Sequence, residues 1–265
     1  MKFFKIRTKP HKIDVILIIL FPIAAAVLTL IFKTNFLIST LLFFGVPSLY
    51  LCLRKPGIVF KSLIFTTIFS IPLGIVMDYL AIMDKSWIIP SSLFNFRFFG
   101  TNSIEGLIWE FLYVFFIIMF YEYFLDFGKK EDRVSKNTKY LIVISLSVLT
   151  VFFLFLFVSP GLLHIKYFYL KSGTILILLP LVTFLSFFPK LWTKYVKIGV
   201  YFFGLSLLHE VAGLYTNQWT FPSHNFIGFV ELFGLKFPFE ELLFWMILSV
   251  AALLSYYEFF ADDKK

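Results

Sequence analysis

Eight stretches of roughly 20 residues each, apolar and nearly free of charge, run at about 14–33, 35–53, 62–83, 104–127, 139–159, 173–189, 197–216 and 238–260. A bilayer core is about 30 Å thick and a helix rises about 1.5 Å per residue, so each stretch is long enough to cross it. Hydrophobic residues fill 60% of the 265 positions and charged ones only 15%, against about 45–50% and about 25% in soluble domains. The expected fold class is all-α, a polytopic transmembrane helix bundle of about eight spans.

The net charge of +8 would suit a nucleic-acid binder if the basic residues shared one surface, but their positions give another meaning. Alternate segments between spans fall on opposite sides of the membrane. One side collects 18 of the 24 Lys and Arg, including Lys2, Lys5, Arg7, Lys9, Lys12, Arg54, Lys55, Lys61, Lys190 and Lys194. The other holds Lys33, Lys85, Arg97, Lys166, Lys171 and Lys236. The positive-inside rule predicts a multi-pass protein of the cytoplasmic (inner) membrane, both termini in the cytoplasm and no nucleic-acid partner. Lys2–Lys12 followed by an apolar run resembles a secretory signal, but the run is long and has no small-residue cleavage site, so it reads as a retained anchor. Cys52 is the only cysteine, which excludes an intrachain disulfide and a cysteine metal cluster.

Internal similarity is the next signal. Asp78 and Trp87 stand nine residues apart, as do Glu210 and Trp219. Glu105-Gly-Leu-Ile-Trp109 matches Glu241-Leu-Leu-Phe-Trp245, and each first glutamate lies 17 residues before the glutamate of a Tyr-Glu pair, Tyr121-Glu122 or Tyr257-Glu258. A tandem duplication is expected: repeats over 1–127 and 139–265 joined by a basic linker at 128–138. Four spans per repeat is an even number, so the two copies are parallel rather than inverted. The loops at 84–103 and 217–237 hold equivalent places and are predicted to lie at the interface or to fold inward.

Acidic residues inside an apolar bundle mark the candidate chemistry, because an unpaired charge there costs several kcal/mol. Pro238-Phe239-Glu240-Glu241 opens the eighth span, with proline suited to a first helical turn. Glu241 and Trp245, and likewise Glu105 and Trp109, fall on one helix face one turn apart. Desolvation in general keeps a carboxyl group protonated up to neutral pH, so that it has a proton to donate, and an aromatic face stabilises a nearby cation by about 0.5–2 kcal/mol. An acid beside an indole therefore suits carbocation chemistry, whereas packing or interfacial anchoring is what tryptophan does in most membrane proteins. Asp78 and Glu210 are placed to approach Glu105 and Glu241 across a cavity, or else to sit at the interface. His209 is a candidate proton relay or orienting partner. The Tyr-Glu pairs at 121–122 and 257–258 are expected at the interface. No His-Glu-x-x-His, aspartate-rich diphosphate motif or glycine-rich dinucleotide fingerprint occurs, so neither a metal site nor a cofactor is expected.

These residues together resemble a family, the membrane-integral lycopene cyclases, found as small paired subunits, fused tandem chains and parts of bifunctional proteins. The resemblance rests on Trp219-Thr-Phe-Pro222 and on Gly234-Leu-Lys-Phe-Pro238-Phe-Glu240-Glu241, which are similar to the family's tryptophan loop and Pro-x-Glu-Glu motif. Over 60–127 the chain keeps Asp78, Ala81 and Trp87 but departs at Asn102-Ser-Ile-Glu105, with Asn102 in place of proline and Ile104 in place of the first glutamate. The resemblance implies a redox-neutral cyclisation of an acyclic carotenoid end to a β-type ring, without a cofactor. It implies Glu240 and Glu241 as acid and base, Glu105 as the matching carboxylate, and Trp87, Trp109, Trp219 and Trp245 along the polyene. Implied partners are a lycopene-like carotenoid, membrane lipid, and further copies of the chain or other carotenoid enzymes. Three other readings compete: a carotenoid-binding or altered-specificity paralogue, a small-molecule transporter, and a Glu-Glu-x-x-x-Arg intramembrane protease, against which Trp245 stands at the arginine position.

Overall fold

The computed structural model describes residues 10–126 and 134–262. Lys2–Lys9, the linker residues 128–133 and the last lysines lie outside the described residues, so the orientation argument and the anchor at 1–9 rest on sequence alone. The described residues are 75% helical. Among the described residues eight helices are long and apolar enough to cross a membrane: α1 Lys12–Phe32, α2 Phe36–Arg54, α3 Pro56–Met83, α4 Ile104–Asp126, α5 Thr138–Val158, α6 Phe168–Phe187, α7 Pro189–Tyr215 and α8 Glu241–Phe260.

The spans agree with the hydrophobic runs to within about five residues except at the starts of α3 and α7, which begin six and eight residues earlier, at Pro56 and Pro189. Each opens with a 3₁₀ turn led by proline, whose missing N–H costs nothing in a first turn. Lys61 makes the sequence read as a polar boundary at α3. It is instead 3% exposed, with Nζ 2.9 Å from Glu122 and 3.5 Å from Asp262. A buried charge survives where partners replace its water.

At the same end, which also carries the start of α1 and the end of α8, the Tyr-Glu pairs are interior. Tyr257 donates to Glu122 at 2.5 Å, and Tyr121 donates reciprocally to Glu258. All four residues are buried, so they form a crossed clamp between α4 and α8 rather than sitting at the interface as expected. Asp14, which caps α1, accepts from Tyr50 at 2.5 Å and Tyr123 at 2.6 Å and pairs with Arg54. It binds α1 to α2 and α4.

Helix packing comes in matched sets. Helix α4 lies on α2 and α3, and α8 lies on α6 and α7; α1 packs against α7 and α5 against α3; α4 and α8 meet at the centre. Two features break the match: α1 packs on α2, whereas α5 has no comparable backbone packing on α6 and touches α8 instead. Both α2 and α6 contain a π-helical turn, at Leu41–Gly45 and Gly173–Leu178. The first turns of α8 are also π-helical, over Glu241–Leu248, with no counterpart at the start of α4.

The loops before α4 and α8 each contain a short antiparallel hairpin: β1 Arg97–Phe98 with β2 Asn102–Ser103, and β3 Phe229–Leu232 with β4 Leu235–Pro238. Phe233 and Gly234 turn the second with positive φ at both positions, the geometry of a two-residue type I′ turn. Pro238 therefore ends β4, paired with Phe229, instead of opening the helix as expected.

Candidate functional site

Helices α3 and α7 end alike. Lys85 and Asn217 adopt positive φ, and the N–H groups of Ser86 and Gln218 bond back to Ala81 and Gly213 carbonyls at 2.8 and 2.9 Å. This closes each helix with a Schellman-type turn. The next residues, Trp87 and Trp219, then point inward, and Ile88 and Thr220 pair with each other through two backbone hydrogen bonds of 3.0 and 2.9 Å. The two loops thus cross-brace over the bundle and set two indoles into it.

Beneath them lies a cavity of about 310 Å³. Its walls are mostly aromatic and aliphatic, but four carboxylates reach it: Asp78, Glu110, Glu210 and Glu241. Trp87, Trp109, Trp219, Trp245 and His209 also line it. No Lys or Arg is among the lining residues. The acids are therefore not balanced by cations, and an uncompensated buried charge is the costliest group a protein interior can hold.

The four acids fall into two groups. Glu210 accepts from the Trp219 indole N–H at 3.2 Å and interacts with Glu241, which also meets the Tyr169 hydroxyl. Asp78 and Glu110 interact on the other side, each fitted over a glycine: a Cβ on Gly106 would lie 2.8 Å from Asp78 Oδ2, and one on Gly74 would lie 2.6 Å from Glu110 Oε2. Gly213 serves Trp219 in the same way, since a Cβ there would run into the indole ring.

Aromatic rings pack against one another along the walls. Trp87 and Trp109 lie 5.7 Å apart, Trp109 stacks on Tyr113 at 5.6 Å, Phe36 meets Trp219 at 5.6 Å, and Tyr169 meets Trp245 at 5.8 Å. The indole N–H groups of Trp109 and Trp245 and the His209 Nε2 have no hydrogen-bond partner among the described residues. The His209 ring is packed between Phe43, Phe44 and Trp219 at 4.9–5.0 Å.

Of the residues singled out in the sequence, Glu241, Asp78, Glu210, His209 and the four tryptophans come together at this cavity. Glu240, Glu105 and Pro238 do not line it. Glu240 is fully buried and accepts the Ile227 N–H at 2.7 Å; Glu105 accepts the Leu93 N–H at 2.6 Å and the Ser92 hydroxyl at 2.8 Å. Both hold the preceding loop against the start of a helix. Glu105 thus shares its structural task with Glu240, not with Glu241 as the spacing to tryptophan suggests. It borders a separate hollow of about 90 Å³, with Phe36 lining both spaces.

Among the lining residues that the sequence reading does not single out are Glu110, Tyr113 and Tyr169. Glu110 carried a usable signal, being an acid well inside the fourth apolar run. A second acidic cluster, Glu122, Asp126 and Asp262, brings carboxylate oxygens within 4.8 Å of one another at the opposite end. Its ion pairs with Lys61 and Lys194 give it a structural role in tying α3, α4, α7 and the end of α8 together. No protein-family model matches the chain, and the curated proteins and the solved structures compared with it give no match either.

Proposed function

We propose that the protein is a lycopene-cyclase-like membrane enzyme that isomerises the end of an acyclic carotenoid to a ring, with both termini in the cytoplasm. The observation that carries this reading is the cavity: four carboxylates without a cation, facing indole and phenol rings inside a helix bundle. Hydrocarbon walls suit a polyene, the acids suit proton transfer, and the π-faces suit a positive charge that exists only between two proton transfers.

In this scheme a protonated carboxyl group adds its proton to the terminal double bond, leaving a tertiary cation. Electrons of an inner double bond close the ring with a new C–C bond, and the cation moves into the ring. A carboxylate then takes a ring proton and a ring double bond forms. One proton enters and one leaves, so no redox cofactor is needed. Glu241 and Glu210 are the acid and base in this proposal, because they face each other beside Trp245, Tyr169 and Trp219. Asp78 and Glu110 form a second acid pair, and His209 orients the Trp219 side of the wall.

Matching α3 and α7 ends, paired hairpins and the shared tasks of Glu105 and Glu240 support an origin by duplication. The carrier and binding-protein readings share the cavity but do not call for acids against π-faces, and a Glu-Glu protease would need Glu240 in the cavity. Expression in a lycopene-accumulating host tests the proposal. Cyclised carotene is the expected product, and unchanged lycopene from correctly inserted protein would remove the cyclase reading.

A further inference from the structure

The cavity is bounded by every spanning helix except α1 as well as by the loop-end tryptophans, and its α5 wall has an unusual property. Ile144 and Val148 line it, yet they are 49% and 41% exposed. One side chain can face the cavity and the outside only where the wall is open. The neighbouring packing says the same, since α5 has no close backbone packing on α6 along this stretch.

The opening is framed rather than frayed. Ser145 donates to the Ile68 carbonyl at 2.9 Å, which pins α5 to α3. Tyr256 donates to the Leu176 carbonyl at 2.9 Å, which pins α6 to α8. Below, Thr138 donates to the Phe260 carbonyl at 3.0 Å and joins the start of α5 to the end of α8. Above, Phe152 packs with Tyr79 and Phe168. The equivalent place between α1 and α2 is closed by direct helix packing, and no residue of α1 is among those lining the cavity.

From this we infer that the α5–α6 gap is a lateral mouth through which a single hydrocarbon chain passes end-first from the bilayer to the carboxylates. The rim is apolar (Phe69, Leu141, Ile144, Val148 and Leu176) apart from Ser145, whose hydroxyl is taken up by the Ile68 carbonyl, so the part of the ligand lying in it is uncharged and chain-like. A soluble metabolite approaching from the aqueous side would meet the braced loops instead. This deepens the proposed function, on which it rests for the identity of the chain; the route itself is testable without turnover.

The chain carries five tryptophans, and four of them line the cavity; the fifth, Trp192, is exposed on α7. In a Trp192→Phe background every indole therefore reports on the cavity. The purified protein is reconstituted in phosphatidylcholine vesicles with brominated acyl chains, which quench indole emission on contact. Strong quenching is expected relative to unbrominated vesicles. Ile144→Phe with Val148→Phe, which narrows the mouth, is expected to lose most of it, and Ile144→Ala with Val148→Ala to increase it. Ile23→Phe with Val27→Phe, on the exposed face of α1, is expected to leave it unchanged. Quenching at background, or equal in narrowed and widened variants, overturns the mouth. Lost turnover with the quenching pattern intact would count against the cyclase reading alone.

Discussion

Glu240 and Glu241 are adjacent in sequence, and the structure gives them opposite consequences on replacement. Glu240 is fully buried and its Oε1 accepts the Ile227 N–H at 2.7 Å, so Glu240→Ala removes a hydrogen bond to a buried carboxyl group and frees the loop it tethers. Such a bond contributes about 1.5–3 kcal/mol. Taking the lower half of that range, because Ile227 sits in a loop that water can reach, the variant loses about 1.5–2 kcal/mol, roughly ten- to thirtyfold in the folded-to-unfolded ratio. Glu241→Gln keeps the shape of a side chain whose charge no lining cation balances. Its stability is expected to stay level or rise, while turnover falls by about 10²–10⁴-fold as a proton donor or acceptor is lost.

The assay pairs thermal unfolding in mild detergent, followed by helical circular dichroism, with chromatography of pigments per unit of folded protein. Glu240→Ala should melt earlier yet cyclise at near wild-type rate per folded molecule; Glu241→Gln should melt normally and make no ring. A well-folded but inactive Glu240→Ala beside an active Glu241→Gln would refute the reasoning, because the working acid would then lie outside the cavity.

Other substitutions test the wall and the clamp. Gly213→Ala puts a methyl group into the Trp219 ring, so the indole must leave Glu210; a shift in tryptophan emission and a loss of turnover with little loss of helix content are expected. Trp245→Leu removes a π-face worth about 0.5–2 kcal/mol to a cation, so turnover should drop by about two- to thirtyfold, with Trp245→Phe in between. Tyr257→Phe and Tyr121→Phe each delete one arm of the crossed clamp and should each destabilise by about 1.5–3 kcal/mol without changing the product; a clamp that is neutral in both variants would be idle. With a single mouth, a two-ended substrate must leave and re-enter, so one-ring product should precede two-ring product in a time course.

The membrane fold was legible because spanning length is a property of composition, and eight runs of apolar residues leave little choice. The starts of α3 and α7 were not, because Lys61 looks like an exit from the membrane until Glu122 and Asp262 are seen beside it. Tyr121 and Tyr257 misled for the same reason: their partners lie on the other central helix. At the site, the tryptophans and Asp78, Glu210 and Glu241 were marked by spacing, but spacing also drew in Glu105 and Glu240, which hold loops. Glu110 lies outside the repeated Glu-x-x-x-Trp pattern, and only its depth in the helix marks it. No composition signal announces the π-helical start of α8, and it is this turn that separates the two assignments.

That π segment bears on how the site differs from its own likeness. Glu105 and Glu240 share one task at the helix start, while Trp109 and Trp245 share another at the cavity, yet Trp245 lies one residue further from its loop-tethering glutamate than Trp109 does. A π-helical turn accommodates one extra residue without breaking the helix, and Glu241 follows directly after Glu240 at its start. The residue that follows Glu105 is Gly106, on which Asp78 rests, and the acid of α4 comes a turn deeper, at Glu110. Equivalent helices thus bring non-equivalent acid pairs to one cavity, and the α5–α6 opening adds a direction to it. Under the proposed route a chain entering there passes α8 and α3 before it reaches the loop-end indoles. On the proposed reading a site built this way takes one end of a long molecule in one orientation, and the matched helices supply walls rather than a second active site.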